Sequence, residues 1–363
     1  MAKNAEVRTG SLDFLRIIAT ILIVFHHFQQ VTGARFGGID FYGGNFNYGL
    51  IVEFFFVLSG FFMFRYITRI KQGLSFKKFI LKRVTRLLPL VLISSIVYCI
   101  FLYFYSLIYQ DSWHGVSISV WGIILNALGV QSGWIFKNPG INNPTWYISV
   151  LILCYIIFYF VTYVCKRLKV TPFYAYVFII LIGCGIVSYG IDLPFLNQSS
   201  ARGYYAFFFG LLLAKFMNKR KINLKTCLAS VIVVALLTWM IISRKYLVDS
   251  GLNYLMTFLY YPALIIICFY PPIMGLFRCK IFEFLGKITY DVYVWHASGL
   301  ILMYILVAKF VPSLNILSVW TMLAFTSIQF GVGIASYYLI ERPINKVIKE
   351  KYRIWIRRNI LRN

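Results

Sequence analysis

Arg16 and His27 stand eleven residues apart in the apolar run SLDFLRIIATILIVFHHF. On a helix that spacing returns to within about 20° of the same face after a rise of about 16 Å. An arginine near one end of a span and a histidine half a bilayer away could grip an anionic ligand and move a proton where it meets a second substrate. The plainer alternative is a snorkelling arginine and an interfacial histidine that ends the helix. His26 lies about 80° off that face and is expected to pack or to bond a carbonyl. Asp13, three residues before Arg16, is expected to pair with it.

The next apolar run carries Glu53 and then FFFVLSGFF. Glu53 falls at the depth of His27, where a carboxylate beside an imidazole would fix its tautomer and raise its basicity. Ser59 and Gly60 form a small pair that permits close helix approach. Arg83 and Arg86, three apart in FILKRVTRLLPL, share a helix face and could chelate phosphates from the cytosol, or else form a solvated basic surface. In ITYDVYVWHASG, His296 is a second mid-span candidate, and Asp291 is expected near a helix start, as a cap. His114 is read as a surface residue. The seven cysteines are scattered without a Cys-x-x-Cys pair or zinc spacing, so they read as small apolar packing residues and no metal is expected.

These residues need long apolar elements to hold them. The chain of 363 residues is 60% hydrophobic and 13% charged, about half the charge of a soluble globular chain. Its mean hydropathy is +0.77, which leaves little room for a soluble domain. The net charge of +25 could suggest nucleic acid, but the basic residues lie in short segments between apolar runs, so no nucleic-acid partner is expected. Ten spans are expected, at about 12–28, 48–64, 87–108, 146–164, 172–189, 203–217, 227–243, 254–270, 289–308 and 318–340. The run 120–130 is too short to cross and reads as a re-entrant or interfacial piece.

The first run carries charges that a cleavable signal would not tolerate, so it is read as a retained span. Threaded from an inside N-terminus, the outer side holds only Arg35, Lys137, Arg202, Arg244, Lys245 and Lys309 of the 36 basic residues. That asymmetry places both termini in the cytoplasm, with the inner clusters near anionic membrane lipid. The long outer loop carries Trp113, His114, Trp121, Trp134, Asn142 and Asn143, which suit either sugar binding or an interfacial belt. No internal repeat or composition shift appears. The expectation is an all-α polytopic protein with one membrane domain over 1–363, ending in a basic tail at 342–363.

Taken together, the Arg-x10-His helix, FFFVLSGFF after Glu53, the Arg-x-x-Arg pair, Tyr293-x-x-His296, the closing Glu341-Arg342-Pro343 and the ten-span layout resemble the integral-membrane acyltransferase 3 family. The resemblance implies transfer of an acyl group, commonly acetyl from acetyl-CoA, to a hydroxyl of an envelope or capsular carbohydrate. By that likeness His27 would be the catalytic base or transient acyl carrier, with Arg16 positioning the acyl-CoA. Arg83 and Arg86 would hold its phosphates. Ser59, Trp146, Tyr147, Tyr293 and His296 would contact or support the substrates. One departure is plain: many members carry a glutamate five residues after the Trp, whereas here Trp146 is followed at that position by Leu151. Glu53 and His296 are candidate substitutes.

Some members also carry a soluble esterase-like domain that hands the acyl group on; none is expected here, so a lipid-linked or nascent polysaccharide is the expected acceptor. The resulting expectation is an O-acetyltransferase of the bacterial plasma membrane whose partners are lipid, acyl-CoA and a carbohydrate, with oligomeric state unspecified. A proton-coupled transporter is the rival, but such carriers usually show paired halves or broken helices, and here the ionisable residues lie in spans one, two and nine without a matching set. A non-catalytic membrane partner would make His27 dispensable.

Overall fold

The computed structural model describes residues 9–350 apart from 39, 137, 219, 244–248 and 349. Lys137, Arg244, Lys245 and the tail beyond 350 therefore lie outside the described residues. Those described form helices and loops, with no strand. In chain order they are α1 Gly10–Thr32, α2 Ile51–Lys71, α3 Phe76–Tyr109, the short α4 Val120–Leu128, α5 Trp146–Arg167, α6 Pro172–Tyr189, α7 Gln198–Asn218, α8 Leu224–Ser243, and α9 Asp249–Leu255. A π turn, Met256–Tyr260, carries α9 into α10 Tyr261–Cys268; then come α11 Pro271–Leu276, α12 Lys280–Phe310 and α13 Val319–Ser336, which ends in a second π turn.

Among the described residues nine helices are long and apolar enough to cross a bilayer. The tenth expected span is α7, which has the length, 21 residues, but carries Gln198, Ser199, Ser200, Arg202 and Lys215. It packs against α2, α5 and α6, so protein rather than lipid receives its polar groups. The chain is thus a polytopic all-α membrane protein.

Close backbone approach holds α2 to α7. A Cβ on Gly60 would run into the Phe207 carbonyl oxygen, and one on Gly210 into that of Val57. With no hydrophobic drive between helices in lipid, such small-residue contacts supply the dispersion that packs them. Gly60 is therefore the close-approach residue that its sequence neighbourhood suggested. Thr9 caps α1 by accepting from the Leu12 amide, and Gly33, at φ 70°, closes it through a bond to the Gln29 carbonyl.

Two boundaries differ from expectation in ways that matter. The third span begins at Phe76, not Leu87, so the basic segment is itself helical. The ninth begins at Lys280, so Asp291 is deep inside α12 and does not cap it. Its Oδ1 instead accepts from Ser336 Oγ at 2.7 Å, and Trp295 Nε1 donates to the same hydroxyl at 2.8 Å, tying α12 to α13. The short run in the outer loop is α4, capped by Ser119 and by Gly129 at φ 67°. Five of the seven cysteines are buried, consistent with packing.

Candidate active site

A cavity of about 440 Å³ lies among α1, α2, α3, α5 and α12. Arg16, Ser59, Arg86, Tyr147 and Tyr293, five of the residues singled out from sequence, line it together. Asp13, Arg65, Tyr155 and Thr289 join them. Asp13 and Arg16 do pair, at 3.4 Å, and Arg16 Nη2 also donates to Thr289 Oγ1 at 3.3 Å. The guanidinium is steered from two helices while still facing the cavity. The Tyr147 hydroxyl donates to the Phe55 carbonyl at 3.3 Å and accepts from Ser59 Oγ at 3.1 Å, which places a polar pair on the wall.

Arg86 also lines a second and larger cavity of about 1040 Å³. Lys77, Lys78, Lys82, Lys287, Arg342 and Lys346 surround it, and among the described residues Glu341 is the only carboxylate of the lining. By the charge asymmetry this groove belongs to the cytoplasmic side. A concave surface of one sign concentrates oppositely charged ligands, so the groove and the cavity form a basic approach joined at Arg86.

Arg83 does not share that role. Its guanidinium lies 3.6 Å from the Phe79 ring centroid and 4.2 Å from that of Tyr66, and Nη1 donates to the Phe79 carbonyl at 2.5 Å. Only 7% exposed, it is held in an aromatic cage. The expectation of a two-arginine phosphate clamp is thus corrected: the spacing allows one face, but aromatic neighbours on α2 and α5 capture one member.

The histidines lie one aromatic layer beyond the cavity. Tyr293, on its wall, has its ring centroid 5.7 Å from that of His296, and His296 is 5.1 Å from His27. The Tyr293 hydroxyl donates to the Pro144 carbonyl, fixing that ring. His27 Nδ1 bonds Gln30 Oε1 at 2.8 Å. An amide oxygen accepts, so the proton sits on Nδ1 and the Nε2 lone pair is left for a base to use. His26 bonds the Phe41 carbonyl at 2.9 Å, the carbonyl contact expected of it.

Glu53 does not orient His27. It is fully buried and accepts from Arg202 Nε at 2.5 Å, Arg202 Nη2 at 2.7 Å and the Tyr205 hydroxyl at 3.0 Å. The tautomer-fixing role expected of it belongs to Gln30. Trp146 lies against this pair, its ring 4.8 Å from the Arg202 guanidinium, and so supports the ion pair rather than lining the cavity. By sequence Arg202 is no more than an outer-side charge. A carboxylate inside a span needs a countercharge, and that requirement is the signal that points to it.

The outer-loop residues divide. Trp121 and His114 are exposed. Asn142 is buried and donates to Ser94 Oγ at 3.0 Å and the Val294 carbonyl at 3.3 Å, pinning the loop to α3 and α12. Trp113 is buried, and Trp134 donates to the Ser149 carbonyl at 3.2 Å. These three are held within the protein by burial or by hydrogen bonds.

The basic groove and the cavity thus meet at Arg86, the cavity is walled by Tyr293, and the His296 and His27 rings follow behind that wall. A family model described as an acyltransferase domain, Acyl_transf_3, matches residues 9–340, nearly the whole chain. The chain belongs to the acyltransferase 3 family, and the protein is a membrane acyltransferase. That membership favours the enzyme over the transporter. No curated protein and no solved structure matches it.

Proposed function

We infer that the protein moves an acetyl group from acetyl-CoA to a hydroxyl of a cell-surface or capsular polysaccharide, or of its lipid-linked precursor, in a bacterial plasma membrane. One observation carries this most: Arg16, Arg65 and Arg86 converge on one cavity that meets the basic groove at Arg86. CoA is a cytosolic polyanion with several phosphates on a long flexible arm. Its nucleotide phosphates match the groove cations, while the arm reaches inward past Arg86 and Arg16 toward Tyr293.

Chemistry then needs a base, because a sugar hydroxyl is a weak nucleophile at neutral pH. His27 Nε2 takes the hydroxyl proton as the oxygen attacks the thioester carbonyl. The C–O bond forms, the C–S bond breaks, and CoA departs as the thiolate toward the cytosolic groove, where it regains a proton. The Arg16 guanidinium lies on the donor path and holds the acyl-CoA through charge.

The test is the O-acetyl content of surface glycan by NMR. Cells lacking the gene are complemented with wild type or His27→Ala at matched membrane expression. Loss of the acetyl signal in the deletion, restored by wild type and not by His27→Ala, supports the assignment. Full restoration by His27→Ala removes His27 from the chemistry, and an unchanged spectrum in the deletion overturns the acceptor class.

A further inference from the structure

His296 is fully buried on α12, and its Nδ1 bonds the Tyr293 carbonyl oxygen at 2.7 Å. A carbonyl can only accept, so Nδ1 carries the ring's proton and Nε2 is left as a lone pair. Among the described residues that buried Nε2 has no hydrogen-bond partner. A buried acceptor left unpaired is costly, and it marks a site where a donor arrives.

The neighbouring ring is His27, centroid to centroid 5.1 Å with planes tilted by 30°. It too has its Nδ1 proton committed, to Gln30, so that its Nε2 is a lone pair. Two lone pairs cannot bond each other, whereas one proton between them can be shared. The rings lie at that scale, since two imidazoles joined by an N–H···N bond of ordinary length have centroids about 5 Å apart, although with neither Nε2 protonated the two are not bonded in this structure. Around them stand His26, 5.0 Å from His27 on α1, Tyr293 on α12, and Arg202, whose Nη2 bonds the Gly49 carbonyl beside His26. Among the described residues no carboxylate bonds either ring, so the imidazoles themselves hold any proton placed there.

We propose that His296 is the proton-sharing partner of His27: when His27 Nε2 takes a proton, His296 Nε2 accepts the resulting N–H and holds the imidazolium in place. This rests on the acetyl-transfer assignment, which supplies that proton from the acceptor hydroxyl. The step balances, because the proton leaving the sugar oxygen stays on the pair until it is released after the C–S bond has broken. His296 is a positioning residue, acting through His27 rather than on the substrate. In this it stands where a carboxylate often supports a catalytic imidazole, in a site where Glu53, the carboxylate expected at that depth, is committed to Arg202.

Two measurements on the full chain in lipid nanodiscs decide it. In protein with ¹⁵N-labelled histidine, acidification of wild type should shift the His27 and His296 Nε2 signals together, as one shared proton. In His296→Phe the His27 signal should move alone and at lower pH. For acetyl transfer, His296→Phe should lower kcat about tenfold or more, part of what general-base catalysis supplies, with the KM for acetyl-CoA unchanged. His296→Gln keeps an acceptor and should recover most of the rate. Independent titration of the two rings in wild type overturns the proposal, as does a glutamine variant no better than phenylalanine or a change confined to KM. If wild type transfers no acetyl group, the functional assignment fails, while the NMR measurement, which needs no substrate, still decides the pairing.

Discussion

Glu53 and Arg202 form a two-point ion pair, Nε to Oε1 at 2.5 Å and Nη2 to Oε2 at 2.7 Å, that joins α2 to α7 inside the bundle. The same Nη2 bonds the Gly49 carbonyl at 2.9 Å, and a Cβ on Gly49 would lie 3.2 Å from His26 Cε1. The pair thus braces the short segment packed against His26. Removing one partner leaves the other buried and uncompensated, at a cost of about 3 to 5 kcal/mol. Arg202→Met alone should therefore lower the thermal stability of the detergent-solubilised protein sharply. The double variant Glu53→Leu with Arg202→Met should recover much of the loss, and equal loss in both would contradict this role.

The two arginines of the α3 motif should separate experimentally. Arg86 lines both cavities, so Arg86→Ala should raise the KM for acetyl-CoA about tenfold and leave stability little changed. Arg83 sits in its aromatic cage, and Arg83→Ala should destabilise the fold by about 1 to 3 kcal/mol through lost packing and cation–π contact. Paired thermal and kinetic assays check it; a purely kinetic Arg83 defect would contradict the cage.

Gly60 tests the helix packing. A methyl group there would collide with backbone, the Phe207 carbonyl, which no side-chain rotation relieves. Gly60→Ala should push α2 from α7 and cost at least about 1 to 3 kcal/mol. Ser59→Ala, one position away, removes hydroxyl hydrogen bonding such as that to Tyr147 without any backbone clash and should cost about 1 kcal/mol. Fluorescence-detected size exclusion after heating compares the two, and equal losses would count against the close approach.

Tyr293 lines the cavity with its ring beside that of His296. Tyr293→Phe keeps the ring and loses the hydroxyl bond to Pro144, so it should retain most of its activity. Tyr293→Ala opens the layer to water, and free thiol release from acetyl-CoA without acceptor should rise relative to transfer. Transfer and thiol release measured side by side give the ratio, and an unchanged ratio in Tyr293→Ala would show that the ring is no barrier.

Most of the spans and the Asp13–Arg16 contact were legible in the sequence because they depend on local spacing and on the cost of charge in lipid. The spacing of Arg16 and His27 likewise rests on helix geometry alone. The family could be recognised from motifs that keep their order along the chain. Partners distant in sequence could not be assigned that way. Glu53 and His27 are expected at one depth, yet depth leaves azimuth open, and the approach of α2 to α7 at Gly60 and Gly210 brings Arg202 to Glu53 first. Arg83 and Arg86 share a face by period, but which one meets a cavity depends on the rings of Tyr66 and Tyr155 from other helices. His27 and His296, far apart in the chain, meet only because α1 packs along α12. Periodicity sets where a side chain leaves its own helix; which helix receives it is a property of the packed bundle.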